Sequence, residues 1–98
     1  MEPEFNDSAL DRLETDLHFT AGYPKEIVKA FRRRMQLIRA AQDERDLYAI
    51  KGNHFEKLKG DRSHQRSIRL NDKMRLIVEL KQCNSGNVIV IMGIENYH

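Results

Sequence analysis

The chain has 98 residues, a mass of 11.5 kDa and a formal net charge of +2. This length allows one domain with a single two-layer core and leaves no room for a second domain. The single cysteine, Cys83, excludes an internal disulfide and a cysteine-based zinc site. No apolar run has the length of a signal or membrane helix, so we expect a cytoplasmic protein that does not bind a membrane.

The basic residues are concentrated in two segments. Residues 25–40 contain six Lys or Arg residues and one acid, and residues 51–75 contain eight Lys or Arg residues and three acids. Residues 1–24, in contrast, contain six acids and one base. Two interpretations remain open, because such segments form either solvated faces or a surface that binds an anionic partner.

The first half of the chain is predicted to be helical after an extended lead-in over residues 1–5. Asp7 or Ser8 is a candidate N-cap for a first helix of about ten residues. Pro24 fits the first turn of a second helix over residues 24–41, where a missing N–H costs nothing. The apolar residues of this second helix form one stripe that predicts a core contact. The opposite face of this helix is basic, and it either is solvated or binds RNA phosphates or an acidic partner.

From residue 54 onward the apolar pattern changes from helical spacing to strand alternation. Residues 43–46 are predicted to be a polar connection before this change, and residues 47–50 could add a helical turn. Strands are predicted over residues 54–58, 66–70, 74–81 and 87–94. Asn-Ser-Gly at residues 84–86 predicts a turn that joins the last two strands as an antiparallel hairpin. The last strand is apolar on both faces and is therefore expected in the middle of the sheet.

The order of these elements predicts an α+β fold. Two N-terminal helices are expected to pack on a twisted, mainly antiparallel sheet. The chain is expected to form one domain over residues 1–98.

The segment over residues 55–75 concentrates the candidate ligands for nucleic acid or phosphate, which are Lys57, Lys59, Arg62, His64, Arg66, Arg69, Lys73 and Arg75. Four apolar residues flank a predicted turn within it: Ile68, Leu70, Met74 and Leu76. They share one sheet face only if residues 71–73 form a three-residue loop. Arg69 then lies directly opposite Arg75 on the other face, where like charges repel by a few tenths of a kcal/mol, up to about 1. This arrangement favours an anion-binding site.

Several short motifs resemble those of HigB-type toxins of the RelE/ParE superfamily. They are LKGDR at residues 58–62, SIRLND at residues 67–72, Arg75 after the turn, and the closing pair Tyr97 and His98. FTAGYP and MQLIRAAQDERDLYAI also resemble the helical half of that family. The resemblance implies a RelE-like fold and a ribosome-dependent endoribonuclease that cuts mRNA.

The same resemblance implies the partners. They are the ribosome, mRNA and a cognate HigA-like antitoxin with a helix-turn-helix domain. Operator DNA would be contacted only indirectly, through this antitoxin. We expect acidic antitoxin side chains against the basic surface around Lys57, Arg66 and Arg69. No metal and no cofactor are expected, because the neighbouring 2′-OH of RNA serves as the nucleophile.

The resemblance, together with side-chain chemistry, implies roles for the site residues. His98 is the candidate general acid, since an imidazole titrates near neutral pH. Arg75 is expected to stabilise the transition state through two N–H donors, with Lys59 as a second positive charge. Tyr97 would stack on a base or position the phosphate, and His54 or a deprotonated Lys59 is the candidate general base. Five further residues are predicted to bind RNA: Lys57, Arg62, Arg66, Arg69 and Lys73.

Two positions depart from the family pattern. Asn96 occupies a position that is often acidic, and Met74 occupies one where Trp or Tyr is common. If position 74 packs in the core, methionine is an adequate substitute, whereas a base-stacking role would change RNA binding.

Other interpretations of the same residues remain open. Arg75 could pair with Glu79, and Lys59 could pair with Asp61. For the whole chain, the alternatives are a ParE-like gyrase inhibitor and a catalytically inactive homologue that binds RNA or an antitoxin.

Overall fold

The computed structural model describes residues 1–83 and 86–96, and in these ranges three helices pack on one five-stranded sheet. The helices are α1 (Ser8–Thr15), α2 (Lys25–Ala40) and α3 (Glu44–Ala49). The strands are β1 (Glu2–Phe5), β2 (Glu56–Lys57), β3 (Gln65–Arg69), β4 (Met74–Cys83) and β5 (Gly86–Asn96). Short 3₁₀ turns lie at Lys51–Asn53 and Gly60–Arg62. None of the described helices is long and apolar enough to cross a membrane.

The strand order is β1-β5-β4-β3-β2. All neighbouring strands are antiparallel except β1 and β5, which are parallel. The α+β prediction is thus confirmed, and β4 and β5 pair in the antiparallel sense as predicted. Residues 84 and 85 of the predicted turn lie outside the described residues. The last strand is an interior strand, as its two apolar faces predict, but it lies one place from the centre because β4 is the central strand. The N-terminal lead-in forms β1 on the outer edge of β5 and so makes β5 an interior strand and not an edge strand.

Side-chain caps set where α1 and α3 begin. The Asp7 carboxylate accepts a hydrogen bond from the Ala9 N–H at 2.7 Å, so α1 begins at Ser8. In the same way Asp43 accepts from the Arg45 N–H at 2.9 Å, and α3 begins at Glu44. Residues 43–46 are therefore a capped helix start and not only a polar connection. The hydrogen bond and charge of the neighbouring Arg45 side chain also lower the pKa of the Asp43 carboxyl.

The core lies between the helices and one face of the sheet. The predicted stripe of α2 is buried at Ile27, Val28, Phe31, Met35 and Ile38. It faces alternate strand residues that are also buried, namely Ile68, Leu70, Leu76, Val78, Ile89 and Ile91. We call the opposite side of the sheet, which the helices leave uncovered, the open face.

The β3–β4 hairpin has the predicted register. Arg69 pairs with Arg75, and the Leu70 N–H donates to the Met74 carbonyl at 3.0 Å around the three-residue loop. The Asn71 Oδ1 atom closes this loop by accepting from the N–H groups of Lys73 and Met74. Met74 is partly buried against the core, so position 74 serves packing and methionine is an adequate substitute there.

Strand β2 is shorter than the predicted strand over residues 54–58. His54 has a left-handed backbone with φ of 45° and ends the 3₁₀ turn before the strand. Phe55 is buried and packs edge-on against the Tyr48 ring, with 4.6 Å between the ring centroids. Only Glu56 and Lys57 continue the sheet.

Arg34 links α2 to the hairpin. Its Nε atom donates to the Arg69 carbonyl at 3.0 Å, and its Nη2 atom donates to the Gly52 carbonyl at 3.0 Å. Partial burial, together with the positive charges of Arg33 and Arg69, lowers the pKa of this guanidinium. The end of β3 is therefore held against the helical layer by a charged donor.

We expect Arg34→Gln to lower the free energy of unfolding by about 1–3 kcal/mol, since it removes charge-assisted hydrogen bonds to two carbonyls. Arg33→Gln is the matched control, because Arg33 is the exposed neighbour on the same helix. Urea unfolding at neutral pH would measure both variants. Equal stability of the two would show that the Arg34 link contributes nothing.

Candidate nucleic-acid interface

The open face carries side chains in rows, because directly paired residues of neighbouring strands point to the same side of a sheet. One row consists of Arg69 on β3, Arg75 on β4 and Glu95 on β5. Two arginines and one carboxylate thus lie side by side near the end of the sheet. This row is the chemical centre of the candidate site.

The arginines of this row are held in different ways. Arg69 forms an ion pair with Asp72 in the hairpin loop, and its carbonyl accepts from Arg34. Arg75 is half-buried, and its Nε and Nη1 atoms are shielded from solvent. A guanidinium held within the face in this way offers a fixed positive charge to a phosphate.

A chain of hydrogen bonds crosses the open face beside this row. Arg62 donates to both carboxylate oxygens of Glu95, at 3.0 and 2.8 Å, and the carboxylate raises the pKa of the guanidinium. The Arg62 Nε atom also donates to Gln65 at 2.9 Å, and Gln65 donates to Glu79 at 2.9 Å. Strands β3 and β4 lie between the Gly60–Arg62 turn and β5, so the Arg62–Glu95 ion pair spans them.

The second row of the open face runs through Glu56, Ser67, Ile77 and Gly93. Ser67 and Ile77 are only 1% and 3% exposed, although none of the described helices packs on this face. The candidate interface is therefore a partly covered face with charged edges.

Glu56 is a site candidate that the sequence analysis missed. It is exposed at the edge strand β2, and its pairing with Ser67 places its carboxylate on the same face as Arg75. Strand alternation, extended outward from Ser67, is the signal that could have found it.

The predicted general-base candidates lie at opposite ends of β2. His54 precedes the strand and is exposed. Lys59 follows it, is also exposed, and takes part in none of the ion pairs found within residues 1–83 and 86–96. Glu79, the alternative partner of Arg75, accepts from Gln65 and lies 3.7 Å from the His64 ring nitrogen.

The residues predicted to bind RNA do not share one surface. Lys57 and Arg66 are directly paired, and alternation places both on the side of the sheet away from Arg69. Arg66 also donates to the Ser63 and Gln65 carbonyls. The surface expected around Lys57, Arg66 and Arg69 is therefore divided between two faces.

The remaining two predicted RNA ligands differ in their surroundings. Lys73 is exposed in the hairpin loop, whereas Arg62 forms an ion pair with Glu95. Within the described ranges, no three His, Cys, Asp or Glu side chains form a group that could hold a metal ion.

The chain reaches the last predicted site residues directly from this row. Glu95 pairs with Arg75, and Asn96 pairs with Met74 at the end of β5. Tyr97 and His98 lie outside the described residues, so their roles stay predictions.

Comparison with known proteins decides the family. Residues 3–92 match the family described as the RelE-like toxin of type II toxin-antitoxin system HigB. The chain belongs to this family. It is also 37% identical over 79 residues to Toxin HigB-1 of Vibrio cholerae, a match that covers 81% of this chain and 83% of that protein. The chain is therefore a toxin of a type II toxin-antitoxin system.

Solved structures confirm the RelE-like fold. A YoeB/ParE toxin from Agrobacterium tumefaciens superposes with a TM-score of 0.63 and 18% identity, covering the whole of both chains. The YoeB-YefM complex from Staphylococcus aureus contains a chain that superposes with a TM-score of 0.61 and 19% identity, covering 100% of this chain and 97% of that one. The fold is thus retained at low sequence identity.

A double-mutant cycle should detect the spanning ion pair. We expect Arg62→Ala and Glu95→Ala to show a coupling energy of about 0.5–1 kcal/mol, since both side chains are roughly half-exposed and bidentate geometry adds to the pair. The single-contact pair of Arg12 and Asp16 on α1 is the control, with about 0.3–0.5 kcal/mol expected. A coupling energy of zero between Arg62 and Glu95 in urea unfolding would show that this ion pair does not stabilise the fold.

Proposed function

We propose that this toxin is a ribosome-dependent mRNA endoribonuclease that a cognate antitoxin neutralises. The observation that carries the proposal is the direct pairing of Arg69 with Arg75 on a sheet face that no described helix covers. Facing guanidiniums repel each other, so a bound phosphate would relieve the repulsion. Membership of the HigB-like family supports the same reaction class.

RNA cleavage of this kind needs three contributions from the protein. The 2′-OH must lose a proton as it attacks the adjacent phosphorus, the phosphorane must be stabilised, and the leaving 5′ oxygen must gain a proton. Arg75 performs the second task, because a guanidinium remains protonated throughout the cycle and can donate two N–H groups to phosphate oxygens. Arg69 adds a second positive charge in the same row.

Proton transfer is assigned to groups around this row. We assign His98 as the general acid because an imidazole titrates near neutral pH, and Tyr97 as a residue that positions the RNA through its ring or hydroxyl. Glu56 is the general base that we favour over His54 and Lys59. Its exposed carboxylate lies on the arginine face, and an ionised carboxylate accepts a proton at neutral pH.

The RNA contacts and partners follow from the same interface. Lys73 in the hairpin loop and Lys59 after β2 extend the positive charge beyond the row, whereas Lys57 and Arg66 lie on the other side of the sheet and are left out of the proposed contacts. A HigA-like antitoxin with a helix-turn-helix domain is the proposed inhibitor. The solved complex of YoeB with YefM supports a protein partner for a toxin of this fold.

Arg75→Ala should reduce mRNA cleavage by about 100-fold or more, the usual loss when one transition-state donor is removed. Lys81→Ala is the matched control, because Lys81 lies on the same strand and is exposed. Purified ribosomes with a defined mRNA would report cleavage within codons, and thermal melts would report folding. Full activity of a folded Arg75→Ala variant would contradict the role. Intact mRNA with DNA damage in cells would instead support a gyrase inhibitor.

Substitution of the proposed acid or of the proposed base should lower the cleavage rate by about 10²-fold. Glu56→Gln removes the proposed base, and His98→Gln removes the proposed acid. His54→Gln is the comparison variant, and purified ribosomes with a defined mRNA would report the rates. If His54→Gln lowers the rate and Glu56→Gln does not, His54 is the base and Glu56 is not.

A further inference from the structure

Glu95 is an acidic side chain in a row whose other members are arginines. It pairs directly with Arg75, which pairs in turn with Arg69. The Cβ atoms of directly paired residues lie about 4.5–5.5 Å apart, so Glu95 begins close to any phosphate that Arg75 binds. A carboxylate at this place repels the phosphate groups of RNA. The proposed reaction gives this carboxylate no task.

Glu95 occupies the guanidinium of Arg62 as a phosphate would. Its two carboxylate oxygens accept hydrogen bonds from the two Nη atoms of Arg62, at 3.0 and 2.8 Å. A guanidinium binds phosphate through the same pair of parallel N–H donors. The Arg62 Nε atom donates separately to Gln65 at 2.9 Å, so this side chain stays directed along the open face when Glu95 leaves.

The Arg62–Glu95 ion pair is open to exchange, because water reaches both partners. The side chains of Arg62 and Glu95 are 43% and 48% exposed. In the bidentate pair of Arg39 with Glu14, by contrast, the carboxylate side chain is only 12% exposed. Exposed ion pairs contribute little to folding, so Arg62 and Glu95 separate at low cost. An RNA phosphate that approaches the open face can therefore compete with Glu95 for Arg62.

The surface beside Glu95 has room for this exchange. Gly93 lies two residues earlier on β5 and therefore faces the same side of the sheet. A methyl group placed on Gly93 would meet no atom within 4 Å in the part of the chain that the structure describes. The space next to Glu95 can thus take either the released carboxylate or part of a nucleotide.

We propose that Glu95 is an internal competitor of RNA, which holds Arg62 until a phosphate of the RNA backbone replaces its carboxylate. This proposal rests on the proposed function, since it requires RNA on the open face. Once Glu95 is displaced, Arg62 binds a phosphate close to the one that Arg75 binds. Arg62 is then an RNA ligand of the bound state, and Glu95 lowers the affinity of the free toxin for RNA.

The experiment measures binding of a single-stranded RNA oligonucleotide by fluorescence anisotropy. Each nucleotide carries a 2′-O-methyl group, so the nucleophile of the cleavage reaction is absent. We expect Glu95→Gln to bind this RNA about five- to tenfold more tightly at low salt, because the released guanidinium gains a charge-assisted contact to a phosphate. One additional phosphate contact should also steepen the plot of log affinity against log salt concentration by about 0.7.

Two comparisons separate this effect from a general change in charge. Glu4→Gln removes the same charge from an exposed carboxylate of the open face, where Glu4 lies 3.6 Å from Lys81, and should change the affinity by less than about twofold. The double variant Arg62→Gln/Glu95→Gln should lose the gain of Glu95→Gln and bind as Arg62→Gln does. Thermal melts confirm that all variants are folded.

Several results would overturn the proposal. Equal gains in Glu95→Gln and Glu4→Gln would show a general charge effect, and a gain that persists in the double variant would exclude Arg62. Weaker binding by Glu95→Gln would show that Glu95 positions Arg62 for RNA, and absence of RNA binding in every variant would remove the competition. If the toxin binds RNA as expected but does not cleave mRNA on ribosomes, the proposed function fails and the competition stands.

Discussion

The register of the β3–β4 hairpin is the constraint on which the candidate site depends. Asn71 closes a three-residue loop, and the Leu70 N–H bonds to the Met74 carbonyl, so Ile68 pairs with Leu76 beneath the sheet. Side chains alternate along a strand, which means that a slip by one residue would exchange the buried and open faces. The buried leucines and isoleucines resist that exchange, because it would expose them to water. The same packing therefore holds Arg69 and Arg75 together on the open face.

Holding two guanidiniums side by side opposes folding, and the surrounding contacts offset this cost. Arg34 binds the carbonyl at Arg69, Asp72 pairs with the Arg69 side chain, and Arg62 reaches Glu95 at the other end of the row. These contacts fix the side-chain positions within the open face. In the proposed reaction, a preorganised positive site would stabilise a developing phosphorane better than one that must reorganise. The carboxylate of Glu95 also shows that the Arg62 guanidinium can hold an anionic group by two hydrogen bonds.

The two basic regions of the chain lie on different surfaces. The region around the hairpin combines arginines with a row of polar side chains on the open face of the sheet. The basic residues of α2 lie on the helical side of the domain. Net charge alone conceals the division, since acids elsewhere in the chain reduce the total to +2.

Features that depend on local chain contacts were predictable from the sequence. The cap at Asp7, the apolar stripe of α2 and the pairing of Arg69 with Arg75 involve residues close in the chain, where periodicity and loop length decide the geometry. The position of β5, the Arg62–Glu95 pair and the site candidate Glu56 were not predictable in this way. β1 pairs with a strand more than 80 residues away, and Arg62 meets a residue 33 positions later. Such contacts form only when the whole sheet assembles, so tertiary structure alone decided which charged side chains share the open face.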